Sequence, residues 1–236
     1  MKSTFLYILV ISLFFQQIYS QENKENFALK FKIKYGNESL IQNKKYFSLS
    51  KDTLQLENFR FYISSIKLIL KDNSIISEDN SYHLIDSEDP ISQSIPIRIK
   101  SKSEIKKVIF SIGIDSIASV SGALSGDLDP TKGMYWAWQS GYINMKIEGK
   151  SSSCKTRNNA FQFHIGGYLK PNYAIRTIEL EPKISNFDIN VDLSNLFNQI
   201  KLSETNSIMI PGLKAMDIAD KAKSMFSVSE SLSYEK

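Results

Sequence analysis

Cysteine is almost missing from this chain. Of 236 residues only Cys154 is a cysteine, so no disulfide can close within it and its stability must come from an ordinary apolar core. Histidine is nearly as scarce. His83 and His164 are the only two, and neither has a Gly-x-Ser-x-Gly turn anywhere in the sequence to partner it, which removes the usual serine-hydrolase reading. Phosphate chemistry fares no better, because Gly122-Ala-Leu-Ser-Gly126 lacks the lysine and the following helix of a phosphate loop. Charge of one sign is lacking too. The 29 basic and 25 acidic residues leave +4, and lysine pairs such as Lys44-Lys45 and Lys106-Lys107 form no stripe with interleaved aromatics, so nucleic acid is not an expected partner. Finally, the apolar run Phe5 to Phe15 is about eleven residues, well short of the ~20 that cross a ~30 Å bilayer core.

That short run has another use. Met1-Lys2 opens it with positive charge, and Ile18-Tyr19-Ser20 closes it before the polar Gln21-Glu22-Asn23, the layout of a secretory signal peptide cleaved after residue 20. The expected product is exported to the periplasm or cell surface, with no transmembrane segment. It comprises residues 21–236, 216 residues (236 less 20), with a net charge of +3 (+4 less Lys2). Cleavage exposes no cysteine, so a lipid anchor on a terminal cysteine is excluded. Cys154 falls in the polar stretch from Lys150 to Asn159 and reads as an incidental exposed thiol on a loop.

Periodicity indicates strands. Phe27, Leu29, Phe31, Ile33 and Tyr35 alternate with Ala28, Lys30, Lys32 and Lys34, the pattern of a strand with one wet face. Leu54 to Leu70 alternates likewise, but its phase slips near Ser64-Ser65, which predicts a bulge or bend. Shorter strands are expected at residues 82–85, 95–99, 107–114, 142–147, 160–166, 174–180 and 187–193. Helical spacing appears only late, in Leu193, Leu196, Phe197 and Ile200 after a capping Asp192 or Ser194, and again from Ala215 to Phe226 beyond Pro211-Gly212. These features predict an all-β fold, a single sandwich-type antiparallel domain with two short C-terminal helices.

Candidate site residues are few. Asp127 and Asp129 form a lone D-x-D, weaker as a calcium motif than as solvated carboxylates. In Phe161-Gln-Phe-His-Ile-Gly-Gly167 alternation puts His164 on the face opposite Phe161, Phe163 and Ile165, with glycines behind it that permit close approach. His83 lies in a second strand. Richest is Gly133-Met-Tyr-Trp-Ala-Trp-Gln-Ser-Gly-Tyr142, where an extended backbone puts Met134, Trp136 and Trp138 on one face. Such a plate serves as core, as a stacking platform, or as the flank of a soft metal.

The run from Met134 to Tyr142, followed by Ile143-Asn-Met-Lys-Ile-Glu-Gly149, resembles the central signature of the MbnP-like family of exported copper-binding proteins. Phe59-Arg-Phe-Tyr-Ile-Ser64, Asp127-Leu-Asp-Pro130, Phe163-His-Ile-Gly-Gly167 and Met225-Phe226 fit the same pattern, so the resemblance extends from about Phe27 to Val228. It implies a β-rich, non-enzymatic protein of copper homeostasis, serving copper uptake, storage or delivery. It further implies one Cu(II) held by two histidines and a tryptophan oxidised to kynurenine, with a dihaem peroxidase-like partner as the oxidant in some members. In this chain those residues are His83 and His164, with Trp136 or Trp138 as the oxidised residue and Met134 lining the site. The other reading from the residues is a metal-free interaction module, accessory to an outer-membrane transporter. The two differ in one requirement: copper needs His83 and His164 within a few ångströms of a common point.

Overall fold

A computed structural model describes residues 25–230 apart from 50, 79–80, 100–104, 139–140 and 185–186. Residues 1–24, which include the predicted signal peptide, and residues 231–236 lie outside the described residues. The chain runs β1 (Glu25–Tyr35), β2 (Glu38–Ser39), β3 (Lys45–Phe47), β4 (Thr53–Leu70), β5 (Ile75–Ser77), β6 (Tyr82–Asp86), β7 (Ser94–Ile99) and β8 (Ile105–Ile112). A short helix α1 (Ser116–Val120) follows, then β9 (Ile143–Ser151), β10 (Ala160–Gly166), β11 (Arg176–Leu180) and β12 (Phe187–Asp192). The last elements are α2 (Leu193–Phe197), β13 (Ser207–Ile208), α3 (Leu213–Ala222) and β14 (Phe226–Glu230).

Two sheets carry these strands. One has the order β14-β12-β1-β2, with β7 also on β1. The other has the order β11-β8-β4-β9-β10-β13, and β3, β5 and β6 share the opposite edge of β4. The fold is therefore largely β and sandwich-like, as periodicity predicts. It is mixed rather than purely antiparallel, because β1 pairs β12 and β10 pairs β13 in parallel.

The main core fills the space between the sheets, where the alternating apolar faces meet. Phe31 from β1 meets Phe61 of β4 at 6.3 Å and Phe110 of β8 at 5.7 Å between ring centroids, and Phe226 of β14 meets both of those rings edge-on. Burying each such ring contributes roughly 1.5–3 kcal/mol. The slip in β4 is a bulge: pairing with β8 shifts between Ser64 and Lys67, and Ser65 takes φ 54°. That extra residue keeps Phe61, Ile63, Ile66 and Leu68 all buried, because it resets the two-residue alternation.

Asp192 caps α2, accepting from the Ser194 N–H at 3.0 Å. The second predicted helix stops early. Helix α3 ends at Ala222, a single 3₁₀ turn follows, and Phe226 opens β14 instead of closing a helix. Beyond the turn the alternation of Phe226 and Val228 meets the free edge of β12, pairing Val191 with Phe226 and Ile189 with Val228. Sheet pairing satisfies those backbone groups better than a further helical turn with one apolar face already used.

Candidate functional site

The site is built on the face of the larger sheet that points away from the main core. Four strands place residues in one cross-strand row there: Asp86 of β6 opposite Arg60 of β4, Arg60 opposite Lys146 of β9, and Lys146 opposite His164 of β10. Long polar residues occupy this row because alternation gives the other face to Phe59, Phe61, Ile147 and Phe163, all buried. His164 Nε2 lies 2.7 Å from Glu148 Oε1, and Lys146 Nζ lies 3.8 Å from the same oxygen. The hydrogen bond from His164, followed by the charge of Lys146, holds the Glu148 carboxyl below its usual range against the opposing effect of burial.

The excursion between β8 and β9 covers part of this face with a second, smaller core. Tyr62, Leu84, Ile114, Leu128, Met134, Trp136, Tyr142 and Ile143 pack together there, separately from the main core. The Tyr62 and Tyr142 rings meet at 5.9 Å; the Tyr62 hydroxyl donates to Asp127 O, and the Tyr142 hydroxyl shares its one proton between Leu128 O and Gly122 O while accepting from Leu124 N–H. Burial raises both phenol pKa values, so they serve as neutral donors rather than as bases.

The aromatic run does not lie extended as a strand. It doubles back, with Trp136 N–H donating to Gly141 O at 3.0 Å and Ile143 N–H to Met134 O at 2.9 Å. Met134 and Trp136 stay on the buried side at 0% and 5% exposure, while Trp138 turns out to 64%. Met134 is fully buried in the smaller core rather than open to solvent. Trp136 sits over Gly166, two residues beyond His164 on the same face. A Cβ at Gly166 would lie 2.6 Å from the indole, so the glycine is what admits the ring. The Trp136 and Trp138 rings are 6.2 Å apart and tilted by 53°. Trp136 Nε1 is buried without a hydrogen-bond partner among the described residues.

His83 lies elsewhere. It pairs with Ile63, in the row that faces the main core. Its Nε2 is 2.9 Å from Glu78 Oε2. From the row of His164 to that of His83 is three residues along β4 and three strand spacings across the sheet, ~10 Å and ~14 Å at ordinary β dimensions. The two imidazoles are therefore far apart and on opposite faces. The structure seats Trp136 over Gly166, two residues from His164 along β10, and sets His83 on the opposite face of the sheet from His164.

His83 instead edges a polar cleft of 560 Å³ whose other walls include Arg60, Asp86, Asp89, Asp127 and Lys132. Two of its three aspartates are ion-paired, and Asp89 accepts from Ile91 N–H at 3.0 Å. Arg60 Nε lies 2.7 Å from Asp86 Oδ2, and Lys132 Nζ lies 2.6 Å from Asp127 Oδ1. The D-x-D aspartates are likewise committed: Asp127 accepts from Leu84 N–H at 3.0 Å, and Asp129 accepts from Thr131 N–H at 2.8 Å as the cap of a 3₁₀ turn. The pair is hydrogen-bonded at a partly exposed surface rather than arranged around a cation, and no group of three potential ligands is assembled among the described residues. Cys154 also departs from expectation. It is buried at 2% exposure, its thiol faces the Leu202 carbonyl at 3.6 Å, and burial raises its pKa.

Glu148, Glu78 and Arg60 carry the polar contacts of these sites, and sequence reading passed over all three. The even spacing of Lys146, Glu148 and Lys150 along one strand was the available signal, but it names a face without naming its cross-strand partner.

Comparison with known proteins gives a consistent result. The family model described as MbnP matches residues 24–210. Among solved structures, MbnP from Methylosinus trichosporium superposes with a TM-score of 0.64, covering 87% of this chain and 98% of its own at 13% identity, a likeness of fold. No curated protein matches the sequence significantly.

Proposed function

The chain belongs to the MbnP family, and from that premise we propose that it is an exported, non-catalytic interaction module of the cell envelope that works without a two-histidine copper centre. The observation that carries this reading is the placement of His83 and His164 on opposite faces of one sheet. Imidazole–metal bonds are on the order of 2 Å, so two histidines serving one ion must approach a common point. These are separated by two intervening strands, and each holds its own carboxylate, Glu78 and Glu148. The residues present do not fit the copper site that the family resemblance implies. The tryptophans then remain tryptophans, Trp136 as core and Trp138 as exposed surface, and no dihaem partner is needed to oxidise them. A catalytic role is also unsupported by the groups at hand, since the buried tyrosines are held neutral and Asp86 and Asp127 of the cleft are ion-paired.

The test is copper content of the exported protein, followed by Cu(II) titration of the stripped form and an intact-mass measurement. The expected result is no stoichiometric tight copper, and a mass equal to that of the unmodified chain. One tightly held copper per chain, lost in both His83→Ala and His164→Ala, would overturn the proposal and require the two faces to rearrange around the ion.

A further inference from the structure

The outward face of the larger sheet carries a second polar row, at the end of β10 away from Trp136. Lys45 of β3 stands opposite Gln55 of β4, Gln55 opposite Lys150 of β9, and Lys150 opposite Ala160, where β10 begins. Alternation gives the core side to Tyr46, Leu54, Leu56 and Phe161, all buried, so Lys45, Gln55 and Lys150 point outward. They line a pocket of 210 Å³ together with Ser152, Asn158 and Asn159. The last two make the turn between β9 and β10 with consecutive positive φ values, 59° and 56°. Asparagine is among the few side chains that adopt this region readily.

In contrast to the cleft beside His83, this pocket has donors to spare. Lys45 has no ion pair, and the amides of Gln55, Asn158 and Asn159 have no hydrogen bond to a described residue. Ser152 Oγ accepts from Thr53 N–H at 2.9 Å, which leaves its own proton to donate. No carboxylate is among the lining residues. Those bordering them in sequence are Glu57, which accepts from Lys150 Nζ, and Asp52, which lines a neighbouring pocket. Farther out, Glu38 holds Lys44 and Glu148 holds His164. Lys155 and Arg157, exposed in the loop that leads into Asn158, have no ion pair among the described residues. The balance around the pocket is therefore positive after every bordering acid is counted.

We propose that this pocket binds a tetrahedral oxyanion: free phosphate, or the phosphoryl group of a small molecule. Two lysines flank an uncharged amide at two strand spacings, ~10 Å, so a doubly charged ion over Gln55 can approach both. Lysine meets phosphate as a point charge, whereas the planar arginine fork that suits a carboxylate is not among the lining residues. Neutral hydroxyl and amide donors on several sides suit an ion whose acceptors point in several directions. Neither histidine lines the pocket, so the inference goes beyond the interaction-module reading and does not depend on copper.

The experiment is calorimetric titration of the exported protein with sodium phosphate, and separately with glycerol 3-phosphate, at ionic strength held constant with sodium chloride. The expected result is saturable binding at one site per chain that weakens at least tenfold in Lys45→Gln. It should be unchanged in Lys67→Gln, an exposed lysine of β4 outside the pocket, and both variants should unfold at the wild-type midpoint. Phosphate should also shift the backbone amide resonances of Asn158 and Asn159. Tighter binding of glycerol 3-phosphate would assign the site to a phosphoryl ester, and the reverse order to the free ion. Absence of saturable binding, or binding retained in full by a Lys45→Gln, Lys150→Gln variant, overturns the proposal.

Discussion

Substituting Gly166 by alanine tests how the aromatic run is seated. The added methyl would lie 2.6 and 2.7 Å from two indole carbons of Trp136 and 2.7 Å from the Tyr142 carbonyl oxygen, where carbon contacts settle at ~3.5–4.0 Å. About 1 Å must be found. The ring cannot give it freely, since Trp136 is enclosed by the smaller core, and the Tyr142 carbonyl is backbone held beside the start of β9. Overpacking of this kind costs ~1–3 kcal/mol, and the backbone contact points to the upper half of that range. With a urea m-value of ~1–3 kcal/mol/M, the midpoint should fall by about 1 M. Equilibrium unfolding followed by tryptophan emission and by far-ultraviolet circular dichroism reads this out. An unchanged midpoint would mean that Trp136 does not rest on Gly166, and the placement of the run beside His164 would fall with it.

Three further outcomes follow from the same contacts. Met134→Ala should destabilise by ~2–5 kcal/mol in denaturant unfolding, because the side chain is fully buried; a loss below ~0.5 kcal/mol would return Met134 to a site-lining role. Cys154 should be inert to a thiol reagent in the native protein and react stoichiometrically in urea, its thiol being buried and its pKa raised; rapid native labelling would contradict its burial. Glu148 has a folded pKa below its ordinary value of 4.5, so its contribution to stability is complete above about that pH and is lost as pH falls through the lowered value. Glu148→Gln should therefore flatten the fall in stability below pH ~4.5, and acid unfolding curves that superimpose on wild type would refute the pairing with His164.

Much of the fold can be read from alternation because each long strand has one wet face. The run from Phe27 to Tyr35 and the slip at Ser64-Ser65 translate directly into β1 and the bulge of β4, since a period of two and its interruption are local properties of the chain. The end of α3 is not local. Met225 and Phe226 continue a helical stripe on paper, yet the free edge of β12, more than thirty residues earlier, turns Phe226 into a strand. Cys154 misleads for a similar reason: its neighbours are polar, but the shield over it comes from Leu202.

The candidate site shows where such reading stops. Parity within β10 correctly sets His164 on the face away from Phe163, and the same rule could have been applied within β6, where Ile85 marks the core side and His83 shares its parity. What parity within one strand cannot supply is the relation between strands, which depends on strand order and register. Once Asp86, Arg60, Lys146 and His164 are known to form one row, His83 is an odd number of residues from Asp86 and must point the other way. Two histidines in a chain with no third make an attractive pair by elimination. The sheet separates them, and it seats Trp136 over Gly166, two residues from His164 along β10.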